Sequence, residues 1–281
     1  MASNIAPTIP REQSQISCSP SNGPRLRRAD WNIILAALWG PTLYVSAHSD
    51  DAAIEMGFSL LAGILPEPLF LVTVFSRSTH TVIQHSLAAR QVEAVRLRED
   101  RRFCRQVGAR FIAMRLRDWL PRHRIDAWRR LAVGQIVRRL DALVNRHGIR
   151  FLVVPFPSGS AHHHHEVVRD AALELAARRT GLSVLLTNDL PYSVNDPTRP
   201  LFAAGQRYEP VVVEFGPDGL SAKLATILAY ESQCRPHYLT SVAIPCGPCR
   251  YSETLWVPQN IGRAFRKRVK QLACCPGSHV P

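Results

Sequence analysis

The stretch Thr42-Leu43-Tyr44-Val45-Ser46 runs directly into Ala47-His48-Ser49-Asp50-Asp51-Ala52-Ala53. A mostly apolar, β-favouring run gives way to a polar cluster, then to small residues that suit a helix start, with Gly57 following. Continuous rather than alternating apolarity is what a strand buried on both faces requires. Outward from this stretch the pattern recurs. Phe70–Phe75, Arg110–Met114, Phe151–Pro155, Ser183–Thr187 and Pro210–Phe215 are further strand candidates. Helices are expected over Ala52–Leu65, Gln84–Val107, Asp126–His147, His165–Arg179 and Ser221–Ser232. In the third of these, Val133, Ile136, Val137, Leu140, Leu143 and Val144 fall at helical spacing, and Gly148 supplies the stop. Strands alternating with helices predict an α/β fold: a Rossmann-like, mostly parallel sheet with helices on both faces. Such sheets bind ligands beyond the carboxyl ends of their strands, which directs attention to the loops after Ser46, Phe75, Pro155 and Thr187.

The chain has 281 residues, 46% hydrophobic and 20% charged, with no apolar run near the ~18 residues of a membrane span. That composition excludes a disordered chain and a helical membrane protein. Thirty-five basic residues against twenty-two acidic ones leave +13, and every basic residue except Lys223, Lys267 and Lys270 is arginine. The surplus favours an anionic partner, although an arginine-rich coding bias would produce it equally well. Residues 1–30 read as a mobile arm, 31–258 as one domain and 259–281 as a basic tail. Seven cysteines, an odd number, and a start without a secretory signal fit a reducing cytoplasm. Cys246-Gly247-Pro248-Cys249 has the letters of a redox motif but lies in a late proline-bearing loop, so free thiols are expected. Trp119 to Arg130 interleaves aromatic and basic side chains, as a nucleic-acid surface, a solvated loop or a substrate-covering loop would.

Two clusters could carry chemistry. His48, Asp50 and Asp51 offer one nitrogen and one or two oxygen ligands to a divalent ion. Successive aspartates cannot point the same way, so one can bind metal while the other faces an attacking water. Helix capping explains the aspartates alone equally well. The second cluster decides between these readings: His162, His163, His164 and His165 run together after a strand and open a helix. A histidine and an aspartate from the first cluster and a histidine from the second make three ligands and leave a position open for water, a catalytic arrangement. Along Gln91–Val107, Arg96 and Glu99 fall on the face that Val92, Val95, Phe103 and Val107 should pack, as a buried pair or with the arginine aimed at the cleft.

With these residues in place, the sequence resembles the PIG-L/LmbE-like family of zinc-dependent N-deacetylases over roughly 42–256. The family's A-H-P-D-D motif appears as Ala47-His48-Ser49-Asp50-Asp51, and its H-x-D-H-x-x-V motif as His162-His163-His164-His165-Glu166-Val167-Val168. Its R-x-x-E appears as Arg96-Leu97-Arg98-Glu99. Weaker echoes are Asp189-Leu190-Pro191-Tyr192, the segment from Lys223 to Gln233, and Glu253-Thr254-Leu255-Trp256. The resemblance implies that His48, Asp51 and His165 bind Zn2+, with Fe2+ as another divalent choice, and that Asp50 is the general base. It further implies that His162 protonates the leaving amine or stabilises the oxyanion and that Arg96 contacts the substrate, with Asp189 and Tyr192 of a weaker echo as further substrate-binding candidates; Arg77, just beyond the second strand, lies where a cleft should be. Arg77 and Arg96 are the arginines expected to meet an anionic group.

Two departures stand out. Ser49 replaces a proline that stiffens the turn. His164 replaces an aspartate that tunes the neighbouring histidine, and an imidazole supplies no negative charge. It also opens a choice of ligand between His164 and His165, for which the family spacing to Val168 and Ala171 favours His165. The implied activity is hydrolysis of a linear amide: removal of an N-acetyl group from an N-acetylglucosamine-type sugar or related conjugate. The rivals are a catalytically impaired relative that binds sugar or metal without turnover, and an amidase of a thiol conjugate. Neither a nucleic-acid partner nor a transmembrane segment is expected.

Overall fold

The computed structural model describes residues 40–78, 87–121, 123–156, 162–193, 202–203, 205–233, 242 and 244–273. The N-terminal arm, the Pro157-Ser158-Gly159-Ser160 turn, Arg122, Cys18, Cys234, Cys274, Cys275 and much of the loop from Pro191 to Gln206 lie outside the described residues.

In chain order the elements are β1 (Thr42–Ser46), α1 (Asp51–Leu61), β2 (Leu69–Thr73), α2 (Ala89–Gln106), β3 (Arg110–Ala113), α3 (Ile125–His147), β4 (Phe151–Phe156) and α4 (His163–Ala177). They continue as β5 (Ser183–Asn188), β6 (Phe202–Ala203), β7 (Gln206–Phe215), α5 (Pro217–Ile227), β8 (Ile244–Gly247), β9 (Arg250–Pro258) and α6 (Gln259–Ala273). The sheet runs β3-β2-β1-β4-β5-β9-β7-β6, with β8 on β9. The five strands from β3 to β5 are parallel, and the remainder join antiparallel through β9. The expected α/β sheet with crossover helices is therefore present.

Period-two geometry explains the continuous apolar runs. Leu43 and Val45 of β1, with Val72, Leu152, Val154 and Leu186, pack against α3 and α4 through Ile136, Leu140, Val168 and Ala171. The intervening Tyr44, with Leu71, Val153 and Leu185, packs on the opposite face against Ala53, Met56 and Leu60 of α1, Phe103 of α2 and Phe265 of α6. Gly148 closes α3 in the left-handed conformation, φ 62°, as its position predicts.

The helix that begins at the first motif has an unusual support. Backbone angles at Met56 (φ −136°, ψ 24°) kink α1 and leave fresh N–H donors beyond the kink. Phe58 and Ser59 donate theirs to Glu253, at 3.0 and 2.7 Å. Glu253 is paired in turn with Lys223 at 2.7 Å, both side chains fully buried. A Cβ on Gly57 would lie 2.5 Å from Thr226 Oγ1, so the motif glycine admits α5 against the kink. These contacts give a structural meaning to the late echoes around Lys223 and Glu253. Removing one partner of a buried ion pair strands the other. Lys223→Met is accordingly expected to lower stability by about 3–5 kcal/mol, read as a reduced urea midpoint.

One sequence expectation changes. The break at 258 is not observed: Phe265 of α6 is buried, Arg268 donates to the Gly63 carbonyl at 2.6 Å, and Arg266 pairs with Glu209 at 2.6 Å. Residues 259–273 are thus a packed helix rather than a tail. Cys246-Gly247-Pro248-Cys249 forms the β8–β9 hairpin turn, with Cys249 at φ 54°, and Cys246 and Cys249 are exposed free thiols.

Candidate active site

β1 continues outward on one side to β2 and on the other to β4, so the sheet's order reverses between β1 and β4. The crevice beyond their carboxyl ends is where an open α/β sheet leaves room for a ligand. His48 to Asp51 follow β1, and His162 to His165 cross from β4 into α4.

The first turn is held by its own backbone. Asp51 Oδ2 accepts the His48 N–H at 2.7 Å, and the Asp50 carbonyl accepts from Ala53 and Ile54. Asp50 makes no side-chain capping bond, which removes the capping explanation for that residue and leaves its carboxylate to other work. Ser49, in the place of the stiffening proline, is buried and donates to Asp100 at 3.2 Å, tying the turn to α2.

Three side chains converge above this turn. His48 Nδ1 lies 3.2 Å from His165 Nε2, His165 Nε2 lies 3.5 Å from Asp51 Oδ2, and His48 Nδ1 lies 3.9 Å from Asp51 Oδ2. Two nitrogens and an oxygen around one point, separated by close to the ~3.3 Å edge of a tetrahedral shell with ~2.0 Å bonds, form a donor set that fits a divalent ion. Behind them, His165 Nδ1 and Asp189 Oδ1 are 2.7 Å apart, both side chains buried, a bond that fixes the imidazole with Nε2 facing forward. Burial pushes the Asp51 carboxyl up and pulls the His48 imidazole down to about 3. His165 is also drawn down by burial, but Asp51 and Asp189 outweigh this and raise it. The point among these groups favours positive charge, whether a proton or a metal ion.

Around this centre the other expected residues take up different stations. Asp50 is partly exposed and receives Arg96 Nη2 at 3.5 Å. The His162 ring is 4.1 Å from the His165 ring centroid and 4.8 Å from that of Tyr192, which is half exposed. Burial, then the neighbouring His165 charge, lowers the His162 pKa to about 4, so its imidazole is neutral near pH 7. Its Nδ1 is buried with no hydrogen-bond partner among the described residues.

Three of the expected substrate contacts have partners within the protein. Asp189 has no exposed surface and is bonded to His165, so it acts on the histidine. Arg96 is 4% exposed and lies behind Asp50, which it pairs with, while Glu99 turns to the Ser232 N–H and hydroxyl at 2.8 and 2.7 Å. Arg77 is half exposed and 3.9 Å from Glu93. Arg115 and Arg117, with Phe75, Trp119, Trp128 and Leu131, line a cavity of about 360 Å³. Phe75 and Trp128 also pack on His164, with ring centroids 4.2 and 5.5 Å away, which places this cavity beside the crevice.

The choice between adjacent histidines is visible in their directions. His165 meets Asp51 and one nitrogen of His48, whereas His164 Nδ1 lies 3.1 Å from the other nitrogen of His48 and 3.4 Å from Asp118. Asp118 is a site residue that the sequence reading missed. It follows the third parallel strand, so the rule that selected the loops after the other strands would have reached it.

A family model described as PIG-L: GlcNAc-PI de-N-acetylase matches residues 43–176, the span that carries both motifs and the three converging side chains. Over that span the chain is similar to the PIG-L/LmbE-like family. No curated protein matches it significantly. Among solved structures, the chain is similar to a deacetylase in the biosynthesis pathway of teicoplanin, at 22% identity and TM-score 0.63, over 77% of this chain and 96% of that one. It is also similar to N,N'-diacetylchitobiose deacetylase from Pyrococcus horikoshii, at 18% identity and TM-score 0.56, over 86% and 97%. A 4-carboxy-2-hydroxymuconate hydratase from Pseudomonas putida shares the fold at 16% identity and TM-score 0.51, over 77% and 95%. These likenesses place the chain in a fold; since that fold also carries a hydratase, the reaction has to be argued from the site.

Two predictions concern the support of this site. Asp189→Asn keeps the size of the side chain but removes the charge behind His165, and is expected to weaken affinity for a divalent ion at this point by ~10–100-fold, measured by competition with a chromophoric chelator. Asp100, buried with Ser49, Thr73 and Tyr230, has its pKa pushed up to about 8 by burial, against the lowering pull of Arg96. The folded state therefore holds a proton that the unfolded state loses near pH 4. The stabilising share of this group is complete below about pH 4 and is lost as pH rises towards about 8. Urea midpoints at pH 5 and pH 8 are expected to fall for the wild type and to fall less for Asp100→Asn.

Proposed function

We propose that the chain is a zinc-dependent N-deacetylase that hydrolyses the N-acetyl amide of an N-acetylglucosamine-type sugar or a related conjugate. The observation that carries this reading is the mutual approach of His48 Nδ1, Asp51 Oδ2 and His165 Nε2 within 3.9 Å. These three residues would hold the ion, with Zn2+ favoured by the nitrogen-rich donor set and Fe2+ a second candidate. A divalent ion bound there supplies Lewis acidity towards the amide carbonyl and lowers the pKa of water.

The chain's own residues perform the remaining work. Asp50, set beside the donor cluster and held by Arg96, takes a proton from the attacking water. His162, a neutral imidazole, is suited to donating an N–H to the developing oxyanion, which favours the stabilising role over the acid role. The C–N bond then breaks, the proton carried by Asp50 passes to the nitrogen, and acetate and a free amine leave. Tyr192 stands at the open side of His162, where a sugar ring would pack. The cavity bearing Arg115 and Arg117 would receive the remainder of the conjugate, which moves the expected anionic contact from Arg77 and Arg96 to those two residues.

The test is a substrate panel of N-acetylhexosamine conjugates and N-acylated thiol conjugates, assayed for new primary amine. Amine formation from the N-acetylhexosamines is expected. Turnover restricted to thiol conjugates, or bound zinc with no turnover on any of them, would overturn the assignment in favour of an amidase or a binding protein.

A further inference from the structure

His48 presents its two ring nitrogens to two different triads. Nδ1 faces Asp51 and His165; Nε2 lies 3.1 Å from His164 Nδ1 and 3.7 Å from Asp118 Oδ1, and those last two atoms are 3.4 Å apart. We propose that His48 Nε2, His164 Nδ1 and Asp118 Oδ1 form a second site for a divalent transition-metal ion, filled together with the first and joined to it through the His48 ring.

The spacing of this triad fits an ion. Where a carboxylate in this crevice bonds an imidazole, at Asp189 and His165, the atoms are 2.7 Å apart. Asp118 stands at 3.4 and 3.7 Å from two nitrogens at once, longer than that bond and close to the ~3.3–3.5 Å between ligands of a tetrahedral ion with ~2.0–2.2 Å bonds. The second oxygen of Asp118 accepts the Ser78 hydroxyl at 2.7 Å, which orients the carboxylate as an outer partner should. Phe75 and Trp128 wall His164, while side-chain exposures of 13% at His48 and 18% at Asp118 leave a route from solvent. A donor set of two imidazoles and one carboxylate suits Zn2+, Co2+ or Cu2+ over Mg2+ or Ca2+.

The balance is simple. The first ion takes a lone pair on Nδ1, and the second takes the pair exposed when the Nε2 proton leaves to solvent, so His48 bridges as an imidazolate. Three carboxylates, Asp50, Asp51 and Asp118, lie beside the two ions to offset their charge. His164 therefore has a use as it stands: the histidine that departs from the family motif is a ligand, and Asp118 brings the negative charge that it lacks.

This inference rests on the proposed function only through the shared His48. The test uses the full chain, stripped with chelator, dialysed against Zn2+ and analysed by atomic emission. Two zinc ions per chain are expected in the wild type, and one in Asp118→Asn and in His164→Asn. His165→Asn is expected to keep one, held at the second site, with melting curves confirming that each variant folds. A single equivalent in the wild type that both Asp118→Asn and His164→Asn retain would overturn the second site and leave the deacetylase reading standing. Two equivalents with no acetate release from any substrate would do the reverse.

Discussion

Exchange of Asp50 for asparagine is expected to leave zinc content unchanged and to lower acetate release by ~10²–10⁴-fold, the range of a lost general base. Asp50 belongs to neither triad of ligand atoms, and its carboxylate is on the partly exposed side of the turn, facing Arg96. Asparagine fills the same space but accepts no proton from water near neutral pH. It also leaves the buried Arg96 without the charge it faces at Asp50, so a moderate drop in melting temperature should accompany the loss of activity. Comparing turnover at a temperature where both proteins are folded separates the two effects. An Asp50→Asn protein with full activity would contradict the role assigned to Asp50.

His48→Ala is expected to abolish zinc retention and activity together. His48 is the residue on which both sets of donor atoms depend, and its removal leaves Asp51, His164 and His165 without a central ligand. The loss in affinity should exceed the ~10–100-fold that removal of an outer partner costs, which makes it larger than that of Asp189→Asn. Isothermal titration of the metal-free variant with Zn2+ measures it. Tight binding in His48→Ala would mean that the ion sits elsewhere.

Much of this arrangement is legible in the sequence because it follows from local rules. The span from Thr42 to His165 contains strands buried on both faces, a helix with one apolar stripe and a glycine stop, and two polar clusters at strand ends. Each of these leaves a pattern in a single segment. The antiparallel half was less readable. The strand Arg250–Pro258 carries Ser252 and Glu253 as buried residues, so its hydropathy does not look like that of a core strand. Glu253 is buried because a kink in α1, distant in sequence, needs its carboxylate. Direction was the other obstacle. The sequence places Asp189 at the end of a strand but not on the rear side of His165, and it places Arg96 on a packed face but not against Asp50. His164 looked like a loss of charge because Asp118, its partner, comes from a different loop. Such long-range compensation appears only once the strand ends are brought together.

The surplus of +13 has narrowed in meaning. Arg96 serves Asp50, Arg266 and Arg268 fasten α6, and Arg129 joins α3 to α4 through Glu166 and Asp170. These arginines hold the fold or the site together. Arg115 and Arg117 line the cavity proposed to receive a substrate's anionic portion.

In the proposed function, His48, Asp51 and His165 hold an ion without which the amide is not hydrolysed. Acetate release from an N-acetylglucosamine conjugate, measured on one preparation before chelation, after chelation and after return of a stoichiometric amount of Zn2+, tests it most directly. The account predicts activity, its loss, and its recovery. Acetate release that persists in the fully stripped protein would contradict it.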